Sequence, residues 1–209
     1  MPTKLILIRH GETPWNAEKR YCGFKDIGIS AKGRKQAIHL KKRLNGYDIY
    51  GVYSSDKKRA IQTAKIIFTG MQIKKIADLK EMHFGVFEGL TYREIMKKYP
   101  KIYSAWLKNP FTAVIPEGES LISFRKRVSR ALKKIISTNK NKTIVVVCHG
   151  GSISAFITGV LKSNDFWKYI PHAVSISIIE EKNNTLKLRV FDDIAHLRRG
   201  VPCQKLPLF

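Results

Sequence analysis

The sequence predicts an α/β protein: a three-layer α/β/α sandwich on a mostly parallel sheet, with an antiparallel edge and a small inserted cap. Three observations predict it. The apolar runs "KLILI" (4–8) and "KTIVVVC" (142–148) are rich in branched residues, as strands buried on both faces are. Strand-like and helix-like segments alternate for most of the chain, the pattern of a layered parallel sheet. Two last strand-like runs, "AVSISIIEE" and "LKLRVFDD", are separated by "KNNT", a hairpin signal that implies an antiparallel edge.

The elements follow in order. Beyond residue 8 a loop runs through "NAEKRYCGFKDIG". Ser30 is placed to cap a helix over "AKGRKQAIHLKKRL", in which Ala37, Leu40 and Leu44 recur on one face. "DIYGVYSS" (48–55) reads as the next strand, and Ser55 or Asp56 as the cap of a helix through "KKRAIQTAKIIF" that turns Ala60, Ala64 and Ile67 inward. "MQIKKIADL" is a third, weaker strand. Residues 79–119 break the rhythm with Pro100, Pro110, Pro116, many aromatic residues and short amphipathic pieces. That is how a cap inserted into a single domain spanning 1–209 reads. Ser120 then caps a long helix carrying Leu121, Phe124, Val128, Leu132 and Ile135. After 142–148, "HGGSISAFITGVL" turns through glycine into another helix.

Composition narrows the classes. A chain of 209 residues, 44% hydrophobic, is large enough for one sizeable core. No apolar stretch reaches the length of a membrane span, and the N-terminal run is too short for a signal peptide. Cys22, Cys148 and Cys203 are scattered and lack CxxC spacing, so they are expected as free thiols of a cytoplasmic protein. The 39 Lys and Arg against 16 Asp and Glu leave a net charge of +23, which favours anionic partners. The runs "LKKRL", "MKKYPK" and "LKKIISTNKNK" fall on exposed helix faces and turns, so solvated faces account for them; neither nucleic acid nor membrane is expected as a partner.

In open α/β sheets, ligands bind beyond the carboxyl ends of the strands. "LILIRHG" delivers Arg9 and His10 there, and "IVVVCHGG" delivers His149. One strand-end histidine is usually structural; two at equivalent ends of two buried strands, each followed by glycine, point to a shared site. "HGGSIS" opens a helix whose first amides face an anion. A third strand leads into a helix whose first turn carries Arg59, and Asn16 lies nearby in the chain. Two guanidiniums and two imidazoles suit a dianionic phosphoryl group, because arginine offers paired planar donors. No carboxylate cluster accompanies them, so the pattern predicts neither a metal nor another cofactor.

Five blocks, "LILIRHGET", "SSDKKRAIQTA", "LKEMHFGVFEG", "PEGES" and "VVVCHGG", together resemble the histidine phosphatase superfamily, the phosphoglycerate-mutase-like proteins, from Leu5 to about Leu197. The resemblance implies that fold and a phosphatase activity. It implies His10 as the nucleophile that becomes phosphohistidine, and Arg9, Arg59 and His149 as the clamp on the phosphoryl oxygens. Glu81 matches the general acid that protonates the leaving group and then activates water. Asn16 and the Gly150 amide are implied as further hydrogen bonds to substrate, and Glu88 matches a structural glutamate. Cys22 stands where relatives often carry a small or polar residue that contacts substrate, although a thiol is a poorer hydrogen-bond partner; Gly23 keeps a backbone contact there. His39, His83, His172 and His196 read as structural.

Glu81 and Gly118 are only 37 positions apart. That short middle resembles the compact cap of small phosphatases and not the long insertion of cofactor-dependent mutases, so hydrolysis is expected and phosphoglycerate mutase activity is the alternative. Length and motif layout resemble α-ribazole-5′-phosphate phosphatases and broad-specificity bacterial enzymes; phosphoserine and phosphoglycerate phosphatases share the plan. The implied substrate is a small phosphorylated metabolite, with α-ribazole 5′-phosphate leading. Phe24, Phe84, Tyr92, Trp106 and Phe111 either form an apolar wall or pack the cap. Two other classes compete. A basic nucleic-acid-binding protein is prompted by +23 but shows no recognised module, and an inactive phosphate-binding scaffold should lack His10 or Glu81. The apolar edge near "AVSISIIEE" permits a homodimer.

Overall fold

A computed structural model describes residues 1–198 and 206; Cys203 lies outside them. In chain order the elements are β1 (Thr3–Arg9), α1 (Pro14–Ala17), α2 (Ala31–Leu44), β2 (Gly51–Ser54), α3 (Lys58–Ile67), β3 (Ile73–Lys75), α4 (Tyr92–Lys98), α5 (Pro100–Lys108), α6 (Leu121–Ser137), β4 (Thr143–Cys148), α7 (Gly150–Leu161), β5 (Ile176–Lys182) and β6 (Thr185–Asp193). The six strands lie in the order β3-β2-β4-β1-β5-β6. β3, β2, β4 and β1 run parallel, and β5 and β6 add the antiparallel edge expected from "KNNT". Asn183 and Asn184, at φ 52° and 60°, form its two-residue turn, the conformation that suits the right-handed twist of a hairpin.

Alternation along the strands builds the layers. Ile6, Ile8, Val52, Val145 and Val147 pack with Ala37 and Leu40 of α2 and Ala60 and Ala64 of α3. Leu5, Leu7, Ile144 and Val146 pack on the other face with Phe124, Val128 and Leu132 of α6 and Ile153 and Phe156 of α7. Leu5 to Ile8 are at most 1% exposed, and burial of each such side chain contributes about 1.5–3 kcal/mol. Within 79–119, Leu79, Met82, Phe87, Ile95, Tyr103 and Trp106 belong to the second of these clusters. Among the described residues no helix is long and apolar enough to cross a membrane.

Two details of this packing position the site. The ladder continues past β1: His10 N donates to Cys148 O at 2.9 Å and Val174 N donates to Arg9 O at 3.0 Å, so Arg9 and His10 are gripped from both sides. The helix α3 starts later than the sequence suggests and carries no side-chain cap of its own. Asp26 Oδ1, from the loop before α2, accepts from Lys58 N at 2.7 Å instead, while Ser55 Oγ is engaged by His149.

Gly11 faces the first turn of α2, not the cavity: a Cβ on it would stand 2.8 Å from Gly33 O, and a Cβ on Gly33 would stand 2.3 Å from Glu12 O. The pair lets a loop lie against a helix at backbone contact. Gly33→Ala makes a better helix former by about 1 kcal/mol, yet the clash reverses the sign; urea unfolding is expected to show a net loss of about 1–3 kcal/mol.

Candidate active site

The carboxyl ends of β1 and β4 bring His10 and His149 side by side, their ring centroids 5.1 Å apart. His10 Nδ1 lies 2.8 Å from Gly11 O, and because a carbonyl only accepts, Nδ1 carries the proton and Nε2 keeps its lone pair. Burial, then Arg59 and Arg9, hold His10 well below the usual imidazole value, so its ring is neutral. Arg9 NH1 donates to Pro171 O at 2.6 Å, whereas its Nε is buried with no hydrogen-bond partner among the described residues. A buried, unanswered guanidinium N–H suits an arriving anion.

Arg59 is 1% exposed and surrounded by acceptors. Its Nε donates to His149 Nδ1 at 3.2 Å, NH1 to Lys25 O at 2.8 Å, and NH2 to Gly23 O at 2.7 Å and Cys22 O at 3.4 Å. His149 Nε2 lies 2.8 Å from Ser55 Oγ, so both ring nitrogens are engaged. Burial, then Arg59, keep His149 well below the usual imidazole value. The loop Cys22–Lys25 is held from its other side by Glu88, which accepts from Phe24 N at 2.6 Å and Lys25 N at 2.9 Å. The carboxylate of Glu88 thus has the structural use the sequence suggested.

Glu81 is the buried carboxyl of the site. Its Oε1 accepts from Met82 N at 3.0 Å and its Oε2 from Gly151 N at 2.8 Å, in the first turn of α7. Burial pushes its pKa up from the ordinary carboxylate value, opposed by those two hydrogen bonds and by Arg59 and Arg9. The "PEGES" block explains why its loop stays in place: Glu119 accepts from Arg127 Nε at 3.0 Å and NH2 at 2.7 Å, and Arg127 NH1 reaches Lys80 O at 3.0 Å.

A cavity of about 400 Å³ opens over this floor, lined by Arg9, His10, Asn16, Cys22, Glu81 and Gly150 among others. Arg59, His149 and Gly23 do not line it; they stand behind the lining residues, with the Gly23 carbonyl turned to Arg59. Asn16 Oδ1 accepts from Thr13 N at 3.1 Å in a capping box, which leaves its Nδ2 as a donor. Burial raises the Cys22 thiol, so it is protonated at neutral pH.

Residues 5–194 match the family model of the histidine phosphatase superfamily, branch 1. The chain belongs to that superfamily. It is a phosphatase by family, with the fold and the order of motifs that its sequence suggested. Phosphoglycerate mutase-like protein 4 of Arabidopsis thaliana is 35% identical over 93% of this chain and 86% of that protein. Phosphoserine phosphatase 1 of Hydrogenobacter thermophilus is 34% identical over 90% of this chain and 92% of its own. The crystal structure of the alpha-ribazole phosphatase of Shigella flexneri superposes with a TM-score of 0.84 at 28% identity, over 91% of this chain and 96% of that one.

Of the aromatic candidates in this histidine phosphatase, Phe84 and Tyr92 line the cavity. Trp106 is buried behind them, Phe111 packs on the core and Phe24 packs on His83. Sequence reasoning missed Tyr21, Phe166, Trp167 and Ile170, which complete the wall. Three of them sit in "FWKYI", an apolar cluster in a connection where solvated residues are the rule, and that was the available signal.

Gly151 is where the Glu81 carboxyl meets α7: a Cβ there would lie 2.3 Å from Glu81 Oε1. Gly151→Ala favours the helix but displaces the carboxyl, so it is expected to leave the thermal midpoint nearly unchanged while kcat falls by about tenfold or more, read in a steady-state phosphatase assay.

Proposed function

We propose that this protein hydrolyses a small phosphomonoester through a phosphohistidine on His10, without a metal ion. One observation carries the reading: a neutral imidazole with its Nε2 lone pair free and a carboxyl biased towards its protonated form line the same cavity. His10 Nε2 attacks phosphorus, the ester P–O bond breaks, and the Glu81 proton passes to the departing oxygen. Water then attacks the phosphohistidine, giving its proton to the Glu81 carboxylate; the P–N bond breaks and neutral His10 returns. Arg9 meets the phosphoryl oxygens with its unanswered Nε, while Arg59, steadied by His149, adds positive charge from behind. These guanidiniums supply the charge stabilisation for which other phosphatases use metal ions. Asn16 Nδ2 and the amide end of α7 at Gly150 add donors. The surplus of +23 raises the local concentration of anionic substrates.

For the substrate we favour α-ribazole 5′-phosphate or a similar ester. Tyr21, Phe84, Tyr92, Phe166 and Trp167 offer apolar and aromatic surface to a flat base, and Arg20 at the rim is already paired with Glu18 and Glu94. One observation favours a second reading, phosphoserine: Lys19, also at the rim, offers a cation to a substrate carboxylate.

His10→Ala is expected to abolish phosphate release from p-nitrophenyl phosphate, and EDTA to leave the parent enzyme unaffected; an active alanine variant or inhibition by EDTA contradicts the mechanism. Across a panel of α-ribazole 5′-phosphate, phosphoserine and 3-phosphoglycerate, kcat/KM is expected to be highest for the first by about tenfold. A lead for phosphoserine selects the second reading.

The pH profile follows from the two shifts. His10 must be neutral, and its lowered pKa moves the acid limb of kcat/KM below the usual imidazole value. Glu81 must be protonated, and its raised pKa moves the alkaline limb above the ordinary 4.5. Glu81→Gln is expected to erase the alkaline limb and to slow alkyl phosphates far more than p-nitrophenyl phosphate, whose leaving group needs no proton.

A further inference from the structure

Ser55 follows β2, fully buried, with its amide tied to Val147 O at 3.0 Å. The ladder and the first turn of α3 therefore fix where its hydroxyl stands. That hydroxyl faces His149 Nε2 at 2.8 Å, and on the opposite side of the ring Arg59 Nε faces Nδ1 at 3.2 Å. An arginine Nε only donates, so Nδ1 must be bare and the single proton of the neutral ring must sit on Nε2. We propose that Ser55 is a positioning residue for phosphoryl transfer: its hydroxyl accepts a hydrogen bond from the Nε2–H that Arg59 imposes on His149, and so holds the ring where Nδ1 faces Arg59.

The opposite tautomer would set two N–H groups against each other and turn Arg59 off the ring. Arg59 also holds Cys22, Gly23 and Lys25 by their carbonyls, so a turn at the ring would reach the cavity wall as well as the charge behind the phosphoryl group. Ser55 itself does not line the cavity. It acts through His149 and Arg59, on charge developed in the transition state, so its loss should appear in kcat more than in KM. The catalytic part rests on the proposed phosphohistidine reading, whereas the tautomer does not. An active His10→Ala enzyme would overturn that reading and leave the tautomer measurement intact.

Long-range 1H–15N correlation spectra of the wild-type protein at neutral pH are expected to show His149 protonated at Nε2 and bare at Nδ1; the opposite tautomer overturns the proposal. In Ser55→Ala the hydrogen-bonded shift of that Nε2 proton is expected to be lost, with kcat on p-nitrophenyl phosphate down about tenfold and KM within about twofold. Ser55→Thr keeps a hydroxyl and is expected to restore both the shift and kcat. An alanine variant that keeps the hydrogen-bonded Nε2 shift, or keeps wild-type kcat, overturns the proposal. Where alanine prevents folding, the threonine variant decides: a folded Ser55→Thr without the hydrogen-bonded shift overturns it, and one with the shift and wild-type kcat supports it.

Discussion

A guanidinium cannot shed its charge, and Arg59 is almost wholly buried, so the surroundings of Arg59 are the constraint on which the rest of the site depends. Leaving such a charge unanswered in the interior costs several kcal/mol, and the chain answers it with one imidazole nitrogen and three backbone carbonyls. Each answer fixes something else. The ring of His149 is held in one orientation between Arg59 of α3 and Ser55 just past the end of β2. The loop from Cys22 to Lys25 is bound by its carbonyls to Arg59 and by its amides to Glu88, which is how a glycine-containing loop keeps its shape beside a cavity. Together with burial, the charge also lowers the pKa of His10, so the cost of holding a cation indoors is tied to keeping the His10 ring neutral.

The same low-dielectric floor sets two titratable groups in opposite senses. Burial favours the neutral form of either, which means a deprotonated ring for His10 and a protonated carboxyl for Glu81. The proposed nucleophile and the proposed acid are thereby prepared by one environment, and no separate device is needed for each. The arginines pull against this for Glu81, lowering its pKa while burial raises it. In the proposed cycle that opposing pull steadies the carboxylate left once the Glu81 proton has passed to the leaving group.

The layered fold was legible because its causes are local. Branched apolar runs, alternation of helix and strand, and an asparagine turn each act within a few residues. The cradle was legible at Arg9, His10 and His149 because strands deliver those residues to one edge, and at Glu81 only through the resemblance of a block. What escaped reading depends on contacts distant in sequence. Asp26 caps α3 from another loop, Gly11 is a glycine because of Gly33, and Ser55 meets His149 as well as Lys57 N at the start of α3. Composition and periodicity carry no trace of such pairings. The aromatic wall was half seen for the same reason: Phe84 and Tyr92 lie within 79–119, where it was sought, while Phe166 and Trp167 arrive from the connection after α7.

The central claim is that His10 takes the phosphoryl group before water does. Rapid mixing with excess substrate, an alkaline quench within the first turnover and peptide mass spectrometry test it most directly. The claim predicts one phosphoryl group on the peptide containing His10, lost when the same sample is treated with acid. Release of a full equivalent of phosphate with His10 unmodified throughout that turnover would contradict it.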